Sequence, residues 1–126
     1  KNLTIIGLYN ATDSLFISGN NTNRIFNVDL SGFINKKMVL DSLIVMDGSI
    51  SSANGGAISI VNGDSLFILN SIVRNCTVNS FNDGGGIYHF SNTNPIFAQI
   101  SNCIISGNSS TVYFAMYILS VNNLAF

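Results

Sequence analysis

The stretch Gly55-Gly56-Ala57-Ile58 returns as Gly84-Gly85-Gly86-Ile87, so one glycine-then-aliphatic passage is used twice in a single chain. Glycine reaches backbone conformations closed to other residues. Each passage therefore reads as a sharp swing of the chain before a new strand enters a core. Other phrases recur around it. Asp-Ser-Leu stands at 13–15, 41–43 and 64–66, at intervals of 28 and 23 residues. Ile-Ser-Gly-Asn stands at 17–20 and 105–108, with a looser Ile-x-x-Asn form from Ile72 to Asn75, and Ser-Ser-Thr-Val at 109–112 is a degenerate further echo. Self-similarity at a period of about 20–50 residues is the signature of stacked repeats.

Between these markers the chain is short, apolar and rich in β-branched residues. The stretches are Leu3 to Ile6, Leu15 to Ile17, Ile25 to Val28, Val39 to Val45, Ala57 to Val61, Leu66 to Leu69 and Ile96 to Ile100. Alternation sets Ile58 and Ile60 against Ala57 and Ser59, which makes Ile60 a core position, as Ile68 is in its own strand. No helical pattern of strand-connecting length intervenes, which argues against a βαβ fold. Independent hairpins, as in a sandwich, give no reason for markers to recur every 23–32 residues. The expected fold is all-β, a right-handed parallel β-helix of four to five coils, each with about three strands. One coil cannot bury its inward face alone, so coils stack and share a core. Residues 1–126 are expected to form a single such segment of a longer protein.

Asparagine tolerates positive φ better than most residues. Asn20, Asn75 and Asn108 close apolar strands, and are expected at matching corners, stacked as an amide ladder. Asp13, Asp41 and Asp64 precede Ser-Leu at the start of a strand, where turn formation explains them, and Asp83 in Asn-Asp-Gly is also turn chemistry.

Composition narrows the function classes. Charged residues are 9% of the chain against roughly 25% in ordinary domains. There is no Glu or Trp, and polarity is carried by Asn, Ser, Thr and Gly. A net charge of −1 leaves no electrostatic footprint for nucleic acid. The Lys36-Lys37 pair reads as a solvated loop. The longest apolar run, Val112 to Leu119, suits one buried strand and falls short of the roughly 18 residues that span a bilayer. Cys76 and Cys103 are compatible either with a disulfide or with two buried thiols.

No catalytic, cofactor-binding or metal site is expected. Glycoside hydrolysis ordinarily uses a carboxylate pair, and the only carboxylates are Asp13, Asp29, Asp41, Asp47, Asp64 and Asp83. His89, between Tyr88 and Phe90, has no partners legible for a ligand or catalytic role. His89 and two separated cysteines make no zinc spacing, and Gly84 to Gly86 lacks the Lys-Ser/Thr of a phosphate loop. Asn-x-Ser/Thr sequons fall at Asn2, Asn10, Asn20, Asn75 and Asn108, little more than this composition gives by chance. Such sequons permit a glycan without indicating one.

Gly-Gly-Ala-Ile blocks alternating with an apolar-x-x-Asn block resemble the repeats of polymorphic outer-membrane proteins and related adhesin-like β-helices. That family pairs a Gly-Gly-Ala-(Ile/Leu/Val) element with Phe-x-x-Asn. Here the first stands at 55–58 and, with Gly for Ala, at 84–87, while the second has Ile for Phe at 17–20, 72–75 and 105–108. The resemblance implies a pectin-lyase-like β-helix outside the cell or on its surface, often an adhesion stalk or passenger. The expected function is thus a structural or adhesive solenoid segment rather than an enzyme. Its expected partners are carbohydrate or protein at the cell surface, or a second copy through end-to-end association. A fragment of a carbohydrate-active β-helix enzyme is the alternative, and a self-assembling extracellular fibre subunit the second.

Overall fold

A computed structural model describes residues 2–7, 14–30, 36–62, 65–79, 81–90, 97–111, 116–119 and 124–125. Every regular element among them is a strand. The first circuit of the chain holds β1 (Leu3–Ile6), β2 (Leu15–Ser18) and β3 (Phe26–Asp29). The second holds β4 (Lys37–Asp41), β5 (Leu43–Met46), β6 (Ser49–Ile50) and β7 (Ile58–Val61). The third repeats this as β8 (Ser65–Leu69), β9 (Ile72–Arg74), β10 (Thr77–Val78) and β11 (Ile87–Phe90). The fourth runs through β12 (Phe97–Ser101), β13 (Ile104–Ser106), β14 (Ser109–Ser110) and β15 (Met116–Leu119), and β16 (Leu124–Ala125) starts another.

Each strand pairs with its counterpart one circuit away, always in parallel. Four sheets result, ordered β1-β4-β8-β12-β16, β2-β5-β9-β13, β6-β10-β14 and β3-β7-β11-β15. The pairing fixes the register of the repeats. Ile58 faces Ile87, so the two glycine passages are equivalent. Leu15 faces Leu43, so the first two Asp-Ser-Leu phrases also match. The third does not. Leu66 pairs with Met38 in a different sheet, so the identity at 64–66 is out of phase.

Two expectations need correction at the corners. The run from Val39 to Val45 is two strands, broken at Ser42, whose φ of 57° turns the chain out of one sheet into the next. Among the described residues, circuits two to four therefore carry four strands each, the third only two residues long, rather than three. The proposed asparagine column is also displaced. Ile105 pairs with Val73, so Asn75 stands opposite Gly107, and Asn108 opposite Cys76. The left-handed residues at that corner are Asp47 (φ 56°), Asn75 (55°) and Gly107 (62°), with Asn20 and Asn21 taking this conformation in the first circuit. The amide ladder exists at the other corner, beside Ser42. Asn102 Nδ2 donates to Asn70 Oδ1 at 3.2 Å, and Asn70 Nδ2 donates to Asp41 Oδ1 at 2.9 Å. Asn70 and Asn102 also have positive φ, 48° and 53°.

Inward positions form aliphatic columns. Met38, Leu66 and Ala98 make one, and Val45 and Val73 belong to another; all five are fully buried. Burying a valine, leucine or methionine side chain in this way stabilises the fold by about 1.5–3 kcal/mol. Glycines admit close approach of the backbone where the chain enters the β7 and β11 strands. A Cβ on Gly56 would lie 2.1 Å from the carbonyl oxygen of Gly85, and one on Gly85 would lie 2.1 Å from that of Ser109. Both passages are equally constrained.

Candidate functional site

Strand alternation turns every second residue outward, and in-register stacking lines those residues up. The sheet β2-β5-β9-β13 presents Phe16, Ile44, Ile72 and Ile104 in one column. Phe16 is 56% exposed and Ile104 58%, while Ile44 and Ile72 are half-buried. Beside this column, Ser14, Ser42, Leu43, Ile44, Asn70 and Ile72 line a shallow cleft of about 190 Å³. A solvent-facing apolar row is not what single-face burial produces. Its signal in the sequence is that Leu15 to Ile17, Leu43 to Met46 and Ile104-Ile105 are apolar without a break. Strands that are apolar on both faces read this way, and sequence reasoning missed the column by assigning them only to the core. A second outward cluster sets Phe67 and Phe97 with ring centroids 5.5 Å apart, and Lys37 Nζ 6.0 Å above the Phe67 ring.

The polar groups weighed as catalytic candidates fall at separate places. Asp29 ends β3, Asp41 ends β4, Asp47 follows β5, and Asp83 precedes the β11 strand by way of the glycines. Asp41 accepts from Ser42 Oγ at 3.0 Å as well as from Asn70, and Asp47 lies 3.5 Å from Ser18 Oγ. Asp13 and Asp64 lie outside the described residues. His89 is fully buried in β11, with Ile60 and Ile118 as its neighbours in register. Arg24 braces two circuits. Its Nε and Nη2 donate to the Gly55 and Asn54 carbonyls at 2.9 and 2.6 Å, and its Nη1 to Asn27 Oδ1 at 2.6 Å. Burial pulls its pKa below the ordinary guanidinium value.

Both cysteines are free, and both act as hydrogen-bonding corner residues. Cys76 follows left-handed Asn75, donates its thiol proton to the Arg74 carbonyl at 3.1 Å, and accepts the Gly48 N–H at 3.3 Å. Cys103 follows left-handed Asn102 and donates to the Ser101 and Ile68 carbonyls at 3.1 and 3.2 Å. Ser71 does the same after left-handed Asn70, donating to Leu69 O at 2.6 Å and accepting the Leu43 N–H at 3.1 Å. A hydroxyl thus serves where the chain uses thiols. Burial pushes the Cys76 thiol up, and the nearby Asp47 charge adds to this against the backbone hydrogen bonds of Gly48 and Asp47.

Two outcomes are expected. Cys76 should resist alkylation in the folded chain at neutral pH and react once denatured, because the thiolate is the nucleophile. Cys76→Ser should cost less stability than Cys76→Val, which strands the Gly48 N–H at about 1–3 kcal/mol; urea midpoints read the difference. The raised thiol also sets a sign. Its stabilising contribution is complete below the ordinary thiol value and is lost as pH rises through the folded value.

Among the described residues no group of three or more His, Cys and carboxylate side chains is placed to hold a metal ion, and no helix is long and apolar enough to cross a membrane. The chain matches no protein-family model, no curated protein and no solved structure.

Proposed function

We propose that the chain is a length of right-handed parallel β-helix, pectin-lyase-like and similar to adhesin repeats, that serves as a structural or adhesive segment of a secreted or surface-anchored protein. The observation that carries this reading is the in-register stacking of outward columns, above all Phe16, Ile44, Ile72 and Ile104. A patterned face of this kind meets a carbohydrate or protein partner along its length. The scattering of Asp29, Asp41, Asp47 and Asp83 over different parts of the circuit supports a scaffold over a hydrolase, since paired carboxylates would have to flank one bond.

The test combines binding and turnover. Immobilised chain is screened against cell-surface glycans and proteins, and the same material is incubated with acidic polysaccharides. Retention that falls in an Ile104→Asn variant of unchanged stability is the expected result. Polysaccharide cleavage that disappears in Asp47→Asn or Asp83→Asn would overturn the proposal in favour of an enzyme.

A further inference from the structure

Four of the five sequons have their asparagine among the described residues, and the structure separates three of them by what the amide is doing. Asn20 and Asn75 are both exposed and left-handed, φ 52° and 55°, at the corner that ends the β2-β5-β9-β13 sheet. Neither side-chain amide makes a hydrogen bond to a described residue, although the Asn20 backbone N–H donates to Ser18 Oγ at 3.1 Å. The third residue of each sequon is a threonine, Thr22 and Thr77, and the middle residues are Asn21 and Cys76 rather than proline. Asn108 has the same sequence credentials and a different geometry. Its Oδ1 accepts the Cys76 N–H at 3.0 Å and its Nδ2 donates to the Val73 carbonyl at 2.9 Å, tying the third circuit to the fourth. A Cβ placed on Gly86 would meet Asn108 Cγ at 2.8 Å and Nδ2 at 2.9 Å, so its amide nitrogen packs against that glycine, whereas a Cβ on Gly107 would meet Asn75 at Oδ1, at 2.7 Å, on the oxygen side of its amide. Asn2 is exposed with its Oδ1 accepting the Lys37 N–H at 3.3 Å.

We infer that Asn20 and Asn75 are the N-glycan acceptors of this corner and that Asn108 is closed to modification in the folded chain. The bond formed joins the amide nitrogen to the anomeric carbon of an activated sugar; the nitrogen gives up one proton and the sugar's phosphate carrier departs. At Asn20 and Asn75 the lost N–H was bonding no described group. At Asn108 a sugar on the amide nitrogen breaks the tie to Val73 and is set against Gly86. The two glycans would border the sheet that carries the apolar column, two circuits apart. That glycans are added in the source cell rests on the proposed secreted or surface location, but acceptor geometry does not.

The test therefore uses the whole purified chain, folded and urea-unfolded, treated with a soluble N-glycosyltransferase that modifies Asn-x-Ser/Thr from a nucleotide sugar. Site occupancy is read by peptide mass spectrometry. The folded chain is expected to be modified at Asn20 and Asn75 and spared at Asn108, while the unfolded chain is modified at all three. Modification of folded Asn108, or refusal of both Asn20 and Asn75 in the folded chain when the unfolded chain accepts them, overturns the assignment. A chain that behaves as expected here, yet carries no sugar when recovered from its source, would count against the location and leave the geometry standing. Asn108→Gln, which removes two hydrogen bonds, should lower the unfolding midpoint more than Asn20→Gln, whose cost is only that of a left-handed glutamine. Equal effects would also overturn it.

Discussion

Gly85→Ala is expected to destabilise the chain by about 3 kcal/mol or more, at the upper end of what an inserted methyl costs. The added carbon would lie 2.1 Å from the Ser109 oxygen and 2.3 Å from its carbonyl carbon. Both are backbone atoms of the next circuit, so no rotamer change relieves the contact. The fourth circuit must lift away, taking with it the Ser109 N–H bond to the Cys76 carbonyl at 2.8 Å. Gly56→Ala meets the Gly85 carbonyl in the same way one circuit earlier. An exposed control such as Ser52→Ala should stay within about 0.5 kcal/mol. Urea unfolding followed by circular dichroism decides it, and a Gly85→Ala chain as stable as the control would mean that the circuits are spaced differently here.

Ile60→Ala and Ile68→Ala should each cost about 2–5 kcal/mol, the range for emptying a buried aliphatic site. Both side chains are fully buried. Ile60 is stacked between Val28 and His89, and Ile68 between Leu40 and Ile100. Columns of this kind leave little freedom to collapse around a vacancy, because each neighbour is held by its own ladder of backbone hydrogen bonds. Ile104→Ala, in an outward position 58% exposed, should cost far less. The contrast between Ile68 and Ile104 checks the assignment of faces, and equal unfolding midpoints would reverse it.

Much of this arrangement was legible in the residues. The glycine passages at 55–58 and 84–87 are truly equivalent because a backbone-on-backbone approach tolerates no side chain, which ties the sequence tightly to the position. Inward Ile60 and Ile68 followed from alternation. The corners were harder. Left-handed geometry is taken by Ser42 and Asp47 as well as by asparagines and glycines, so residue type alone does not mark the turn. Asp-Ser-Leu at 64–66 misled because an identical tripeptide suits both a strand start and a corner. Ile72 to Asn75 misled by a single residue, since Val73 and Ile72 are both apolar and only pairing reveals which faces inward. The apolar column was hidden in the same way, inside runs with no polar residue to mark the outer face.

The spacing between matched residues is uneven. Ser65 follows Lys37 by 28 positions and Phe97 follows Ser65 by 32, whereas Ile87 follows Ile58 by 29 and Met116 follows Ile87 by 29. From Ile44 to Ile72 to Ile104 the steps are again 28 and 32, as they are from Ser49 to Thr77 to Ser109. From the second circuit on, changes in length are thus confined to the connections on either side of the β7-β11-β15 strands, where Phe81 stands 82% exposed. In the first circuit the step from Leu3 to Met38 is 35 against 28 from Leu15 to Leu43, so the passage from β1 to β2 is longer than its counterparts. Beyond the first circuit, one flank of the molecule is held to a fixed gauge while the opposite flank varies, so new sequence can be acquired there by insertion without re-threading the rest.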